Sequence, residues 1–330
     1  MRTLTILFSL ILLFAATAFA DYEETKILNL SADDIEELEI DCGAGFLQIV
    51  GVEGLATIEV EADIYVEGMR ESKAEDFIED NLNLSLRKRR NTARLISTFE
   101  HSGFSLGLFS GFKSVGINLT IKVPKNMIID IDDGSGDIII EDIGNDLNID
   151  DGSGDIEIDN IVGRMDISDG SGDLRLKNVE GNIRFEDGSG EIILDDIRGK
   201  ISMDDGSGDI EIRKIVGSIE LDDGSGEIDA SEITGDFFIN DGSGNIDLVN
   251  ISGDVEIDDG SGNMDVSEIG GTVIIDDGSG NMEIAKIGGT VIVNDGSGSI
   301  RIDKVKGDVE IIDDDSGRCR ITNVDGRVID

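Results

Sequence analysis

The chain has 330 residues, of which 39% are hydrophobic and only 4% aromatic, and it carries a formal net charge of −45. That charge excludes nucleic acid as a natural partner, because phosphate binding needs a cationic surface, and it opposes unaided docking on anionic lipid. Cations, cationic surfaces and sugars remain, and the strict placement of the apolar residues argues against the disorder that an acidic, aromatic-poor composition otherwise suggests.

In chain order, residues 1–20 read as an export signal. Arg2 is followed by an almost wholly apolar run from Leu4 to Phe14, and Ala18-Phe19-Ala20 has the small-x-small cleavage pattern, so the mature chain is expected to start at Asp21. No cysteine stands directly after the cleavage point, and no later stretch reaches 18 consecutive apolar residues, so neither a lipid anchor nor an integral membrane span is expected. The expected location is periplasmic or extracellular.

Residues 21–130 read as an N-terminal β-rich capping region. Thr25–Leu30, Glu37–Cys42, Phe46–Val50, Thr57–Val66 and Gly116–Val123 alternate apolar and polar residues, as half-buried strands do. Ser72 and Glu75 are spaced as a capping box, which predicts a short helix reaching about Asn81. Lys88-Arg89-Arg90 reads as a solvated or acid-paired strand face. The one apolar loop holds Phe104, Leu106, Leu108, Phe109 and Phe112; it reads as a flap over the open end of the core or as a contact for a partner.

From residue 131 to 330 the sequence is a tandem array. Asp-Gly-Ser-Gly begins at Asp133, Asp151, Asp169, Asp187, Asp205, Asp223, Asp241, Asp259, Asp277 and Asp295, always 18 residues apart. A degenerate copy, displaced by one residue, begins at Asp314, and the coil is irregular from about 313. Such self-similarity marks stacked repeats. Apolar residues hold fixed offsets: Ile156, Ile158, Ile161, Met165 and Ile167 in one unit, Leu174, Leu176, Val179, Ile183 and Phe185 in the next. Pairs spaced by two are short strands with one inward face; the lone residue between the pairs fits a corner.

A flat antiparallel meander would leave a long apolar face uncovered, and a three-sided helix needs an apolar period of six. The expected fold is therefore all-β, a parallel β-solenoid (β-helix) with 18-residue coils and two short strands per coil, behind the β-rich cap. Like residues should lie over like, at about 4.8 Å. Cys42 and Cys319 read as small core residues, too far apart for a disulfide. Outward acids such as Glu157 and Asp166 should face water.

The column of turn aspartates, Asp133 to Asp295, raises a Ca²⁺ site, because adjacent carboxylates repel and oxygen-only ligands suit that ion. A second acid often precedes the turn (Asp132, Asp150, Asp204, Asp222, Asp258, Asp276) and a third often follows it (Asp137, Asp155, Asp173, Asp209). The alternative is that these turns are purely structural. The second turn of each coil, Asn160-Ile161-Val162-Gly163 for example, lacks the glycine-aspartate pattern that would complete a two-edged calcium roll. Catalysis is not expected: His101 is the one histidine, and no repeated base accompanies the turn serines.

Ser153-Gly154-Asp155-Ile156-Glu157-Ile158 and its repeats resemble the bacterial putative adhesin family of β-strand-repeat domains. Ile40-Asp41-Cys42-Gly43-Ala44-Gly45-Phe46-Leu47-Gln48-Ile49 resembles that family's opening strand pair, and Leu119-Thr120-Ile121-Lys122-Val123-Pro124 its step into the repeats. The resemblance covers most of the mature chain and implies a right-handed β-helix-like fold at the cell envelope; it implies no functional residues. This chain departs from it in carrying a full Asp-Gly-Ser-Gly in every unit and in its acidity.

Three functions stay open at this point. The first is a non-enzymatic exported scaffold or adhesion module with an envelope, surface or glycan partner. The second is a calcium-binding acidic solenoid, and the third a glycan-acting β-helix enzyme.

Overall fold

A computed structural model describes residues 22–99, 114–314 and 317–329. The segment 1–20 that reads as an export signal, His101 and the apolar loop with Phe104, Leu106, Leu108, Phe109 and Phe112 lie outside the described residues. The N-terminal elements are β1 (Tyr22–Ser31), β2 (Glu37–Ala44), β3 (Leu47–Val52), β4 (Thr57–Glu67), α1 (Glu71–Asn81), β5 (Leu82–Arg89), β6 (Thr92–Phe99) and β7 (Ser114–Pro124). Then β8 (Ile128–Ser135) and β9 (Ile138–Glu141) lead into the first regular coils, with β10 (Leu147–Asp151) and β11 (Ile156–Val162).

The described strands form two 15-stranded sheets. Each 18-residue unit gives one strand to each sheet, and neighbouring units pair in parallel with no slip: Ile156 lies against Leu174, Ile158 against Leu176, Met165 against Ile183 and Ile167 against Phe185. The predicted parallel solenoid is the observed fold. Its interior is a set of apolar columns in which Ile156, Ile161, Met165 and their equivalents as far as Val309 are at most a few per cent exposed, while Cys319 and Val328 in the last coil are exposed. Such columns satisfy both requirements of a strand at once, since every inward side chain meets its own kind and every ladder N–H finds a carbonyl. At the far end the ladder slips by one residue, where Ile311 and Asp313 follow Val293 and Asn294, leaving Ile312 as the bulged residue.

The corner between the two strands of a unit is set by a residue whose role was not evident from the sequence. In nine consecutive coils, from Asn160 to Lys304, the residue before the lone inward aliphatic is left-handed, with φ between 54° and 62°. Only some of these are Asn, the residue that tolerates this region best after Gly. Glu232, at φ 59°, is the wrong shape for it. Glu232→Gly is expected to raise stability by about 0.5–1 kcal/mol. Thermal denaturation checks this, and a loss of stability would mean the corner is unstrained.

Parallel stacking starts earlier than the repeats. β2 pairs in parallel with β8 and with β6, and β3 pairs in parallel with β9 and with β7. Antiparallel strands then end both sheets: β4 on β7, β1 on β4, and β5 on β6. The β5–β6 hairpin was not foreseen; its turn uses Arg90 at φ 63°. α1 buries Ala74 and Ile78, and the Phe77 ring lies 5.6 Å from Phe99. The expected capping box is not formed: Arg70 is the N-cap, with no side-chain capping bond, and Ser72 lies inside the helix. No helix among the described residues is long and apolar enough to cross a membrane.

Candidate functional site

The strand before each Asp-Gly-Ser-Gly turn carries three inward positions, not two. In β10 these are Leu147, Ile149 and Asp151, because side chains two apart share a face. The expectation that carboxylates lie outside fails here. Asp133, Asp151, Asp169, Asp187, Asp205, Asp223, Asp241, Asp259, Asp277 and Asp295 are all buried, none more than 7% exposed. Register places each directly over the next, as in Asp133–Asp151–Asp169 and Asp259–Asp277–Asp295. They form a single column inside one edge of the solenoid.

The column has a neutral head. Cys42 lies in register with Asp133 on one side and with Ser97 on the other. Ser97 is buried, whereas Cys42 is half-buried. Burial, and then the charge of Asp133, push the Cys42 thiol upward. Cys319, by contrast, is exposed in the last described coil, so only Cys42 approaches the expected core role.

From Asp151 to Asp277 each column carboxyl is half-satisfied. From Asp151 to Asp295, Oδ1 accepts the backbone N–H of the turn serine two residues on, at 2.8–3.3 Å. This is the Asx-turn expected of the motif. From Asp151 to Asp277, the other oxygen, Oδ2, is buried with no hydrogen-bond partner. Buried polar atoms are nearly always paired, so eight stacked exceptions mark this column as unusual.

Burial is the first cause of the pKa shifts. Asp151 and Asp205 are pushed up to about 7, with the charges of the aspartates on either side as the next cause. Asp169, Asp223, Asp259 and Asp277 are pushed up to about 6, and Asp133, Asp187 and Asp241 are also raised.

The three acids of each turn do not converge. Asp132, Asp150, Asp204, Asp222, Asp258 and Asp276 are exposed on the outer sheet face. Asp137, Asp155, Asp173 and Asp209 each accept the backbone N–H of the equivalent residue one coil on, at 3.0–3.2 Å. Calcium takes six to eight oxygens, whereas each coil from Asp151 to Asp277 offers the column one unbonded carboxylate oxygen. The nearby carbonyls already accept ladder bonds: Asp133 O from Gly152 N–H and Ser153 O from Gly136 N–H. Among the described residues no group of three or more His, Cys, Asp or Glu is placed to hold a metal ion.

The outer face of the same sheet carries a feature that alternation alone could have revealed. Glu220, Phe238, Glu256, Ile274 and Ile292 form one outward column. Phe238 is 43% exposed and Ile274 39%, among Asp222, Asn240, Asp258 and Asp276.

The Toastrack DUF4097 family matches residues 55–252. No curated protein matches the chain. A putative cell adhesion protein from Clostridium sporogenes aligns at 12% identity, covering 63% of this chain and 99% of its own, with a TM-score of 0.32. A putative adhesin from Bacteroides fragilis aligns at 15% identity, covering 93% of this chain and 97% of its own, with a TM-score of 0.26.

Proposed function

Because the chain belongs to the Toastrack DUF4097 family, we propose that it serves as a non-enzymatic exported envelope module, a stiff solenoid whose outer faces hold a partner surface. The observation that carries this reading is the outward column from Glu220 to Ile292. It sets Phe238 and Ile274 into a lattice of carboxylates, which suits a partner combining basic groups with apolar surface. Aromatic anchors inside a charged rim are the usual makings of a contact site. Export rests on Arg2, the apolar run after it and the Ala18-Phe19-Ala20 step.

Retention of the mature chain on a polycation-coated surface, a polyanion-coated surface and a glycan array tests the proposal. Selective retention on the cationic surface, weakened about tenfold or more in Phe238→Ser, is the expected result. Retention only by glycans would move the partner class to sugars, and cleavage of any bound glycan would replace the module with an enzyme. Equal retention of wild type and Phe238→Ser would remove this face from the account.

A further inference from the structure

We propose that the buried aspartates running from Asp133 to Asp277 form a shared-proton ladder, in which protons taken from solvent on folding bridge the carboxyls of successive coils. The geometry supplies three reasons. The carboxyls lie in exact parallel register, coil on coil. Each is buried. From Asp151 to Asp277 each keeps one oxygen bonded to a serine N–H and one oxygen without any partner.

An ionised carboxylate held this way loses its hydration and gains nothing at Oδ2, so the favourable response is to neutralise. Two adjacent carboxyls then do best by sharing one proton, because like charges so close cannot both persist. The added proton sits on Oδ2. That leaves Oδ1 as the acceptor of the serine N–H and turns the orphan oxygen into a donor. Strand spacing of about 4.8 Å places the next carboxyl within reach of a short O–H···O⁻ bond, about 2.5–2.7 Å. Each proton returns to solvent when the coil opens.

The charged groups acting on the column all oppose its ionisation, whereas the turn Ser and Gly N–H groups, and Cys42 at Asp133, favour it less strongly than burial opposes it. Asp132, Asp258 and Asp276 press on it from the outer side of the same sheet. Asp155, Asp173 and Asp209 press from the segment leading into the other sheet. Over the coils of this column that sheet presents apolar side chains inward, such as Ile156, Ile210 and Met264. Cys42 and Ser97 close the head without a charge. The strongest charges on the column are thus carboxylates, and protons are the compensation that suits it.

The sign follows from linkage. A carboxyl whose pKa is higher folded than unfolded binds more protons in the folded state, so stability falls as pH rises. The loss begins near the ordinary value of 3.8 and is complete above about 6 to 7. A carboxyl raised from 3.8 to about 6 weakens folding by about a hundredfold across that window.

The test is made on the full mature chain. Infrared spectra with ¹³C-labelled aspartate should retain a protonated-acid carbonyl band at about pH 6, well above the ordinary carboxylate range; its absence there overturns the ladder. Denaturation at about pH 5 and about pH 8 should give a more stable protein at the lower pH. In Asp223→Asn the amide donates where the acid O–H would, so this variant should gain up to about a hundredfold in folding equilibrium at the higher pH. Asp258→Asn, which removes a surface charge next to the column, should gain far less. Equal gains in the two variants would make the effect general charge relief and sink the proposal. So would Ca²⁺ stabilising the wild type beyond a salt-matched control with that effect abolished in Asp223→Asn, because the column would then be a cation site.

Discussion

Gly262→Ala is expected to cost about 3 kcal/mol, the upper end of what overpacking does. A Cβ built on Gly262 would lie 1.4 Å from the carbonyl oxygen of Gly244 in the coil beneath, and 3.4 Å from Oδ2 of Asp259. The obstacle is backbone, held by the bond from Gly244 N–H to Ser261 O, so no side chain can swing away to make room. The turn can accept the methyl group only by parting two coils at one edge. Gly134→Ala is the matched control: it sits in the same motif, yet its nearest neighbour would be 3.7 Å away, so it should change stability by less than about 0.5 kcal/mol. Solenoids need not unfold in one step, so hydrogen exchange near residues 241–280 is the better measurement, with global denaturation beside it. Equal protection in Gly262→Ala and wild type would show that the turn has slack the close stack does not suggest.

Phe237→Ala should cost about 3–5 kcal/mol. Phe237 is fully buried and is stacked between Ile219 and Val255 in adjoining coils. The column cannot collapse into the hole, because ladder bonds on both sides fix the spacing of the coils: Ile219 N–H to Asp236 O and Phe237 N–H to Asp254 O. The cost should therefore sit near the top of the large-to-small range, where relaxation is least. Phe238, one residue on and facing out, should lose less than about 0.5 kcal/mol when changed to Ser. Denaturant titration of the two variants side by side checks this, and similar losses would mean that the inside and outside of this strand had been exchanged.

The coil was legible because it depends on local rules repeated without error. An interval of 18 with fixed aliphatic offsets predicts Ile156 over Leu174 and Met165 over Ile183, and both pairs are present. The candidate site was only half legible. Counting by twos from Leu147 and Ile149 reaches Asp151, so the signal for an inward aspartate was present; the turn chemistry of the same residue obscured it. One side chain does both jobs, with Oδ1 closing the turn and Oδ2 entering the core. The head of the column was beyond sequence reading. Ser97, Cys42 and Asp133 meet only because β2 lies between β6 and β8, and no local pattern announces pairing between segments so far apart along the chain. The left-handed corner was hidden for another reason. Lys214, Glu232 and Lys286 adopt it under the pull of the ladder on either side, although their own preference is against it.

The unbroken period has a consequence for how such a molecule changes over generations. Removing or duplicating one whole unit leaves every remaining column matched to a neighbour of the same kind, so no interface has to be invented. Each event would shorten or lengthen the body by about 4.8 Å and leave the antiparallel strands at its beginning undisturbed. Length is thus a quantity that recombination within the gene can adjust in equal steps, whereas an insertion of any other size must be absorbed as a bulge like the one at Ile312.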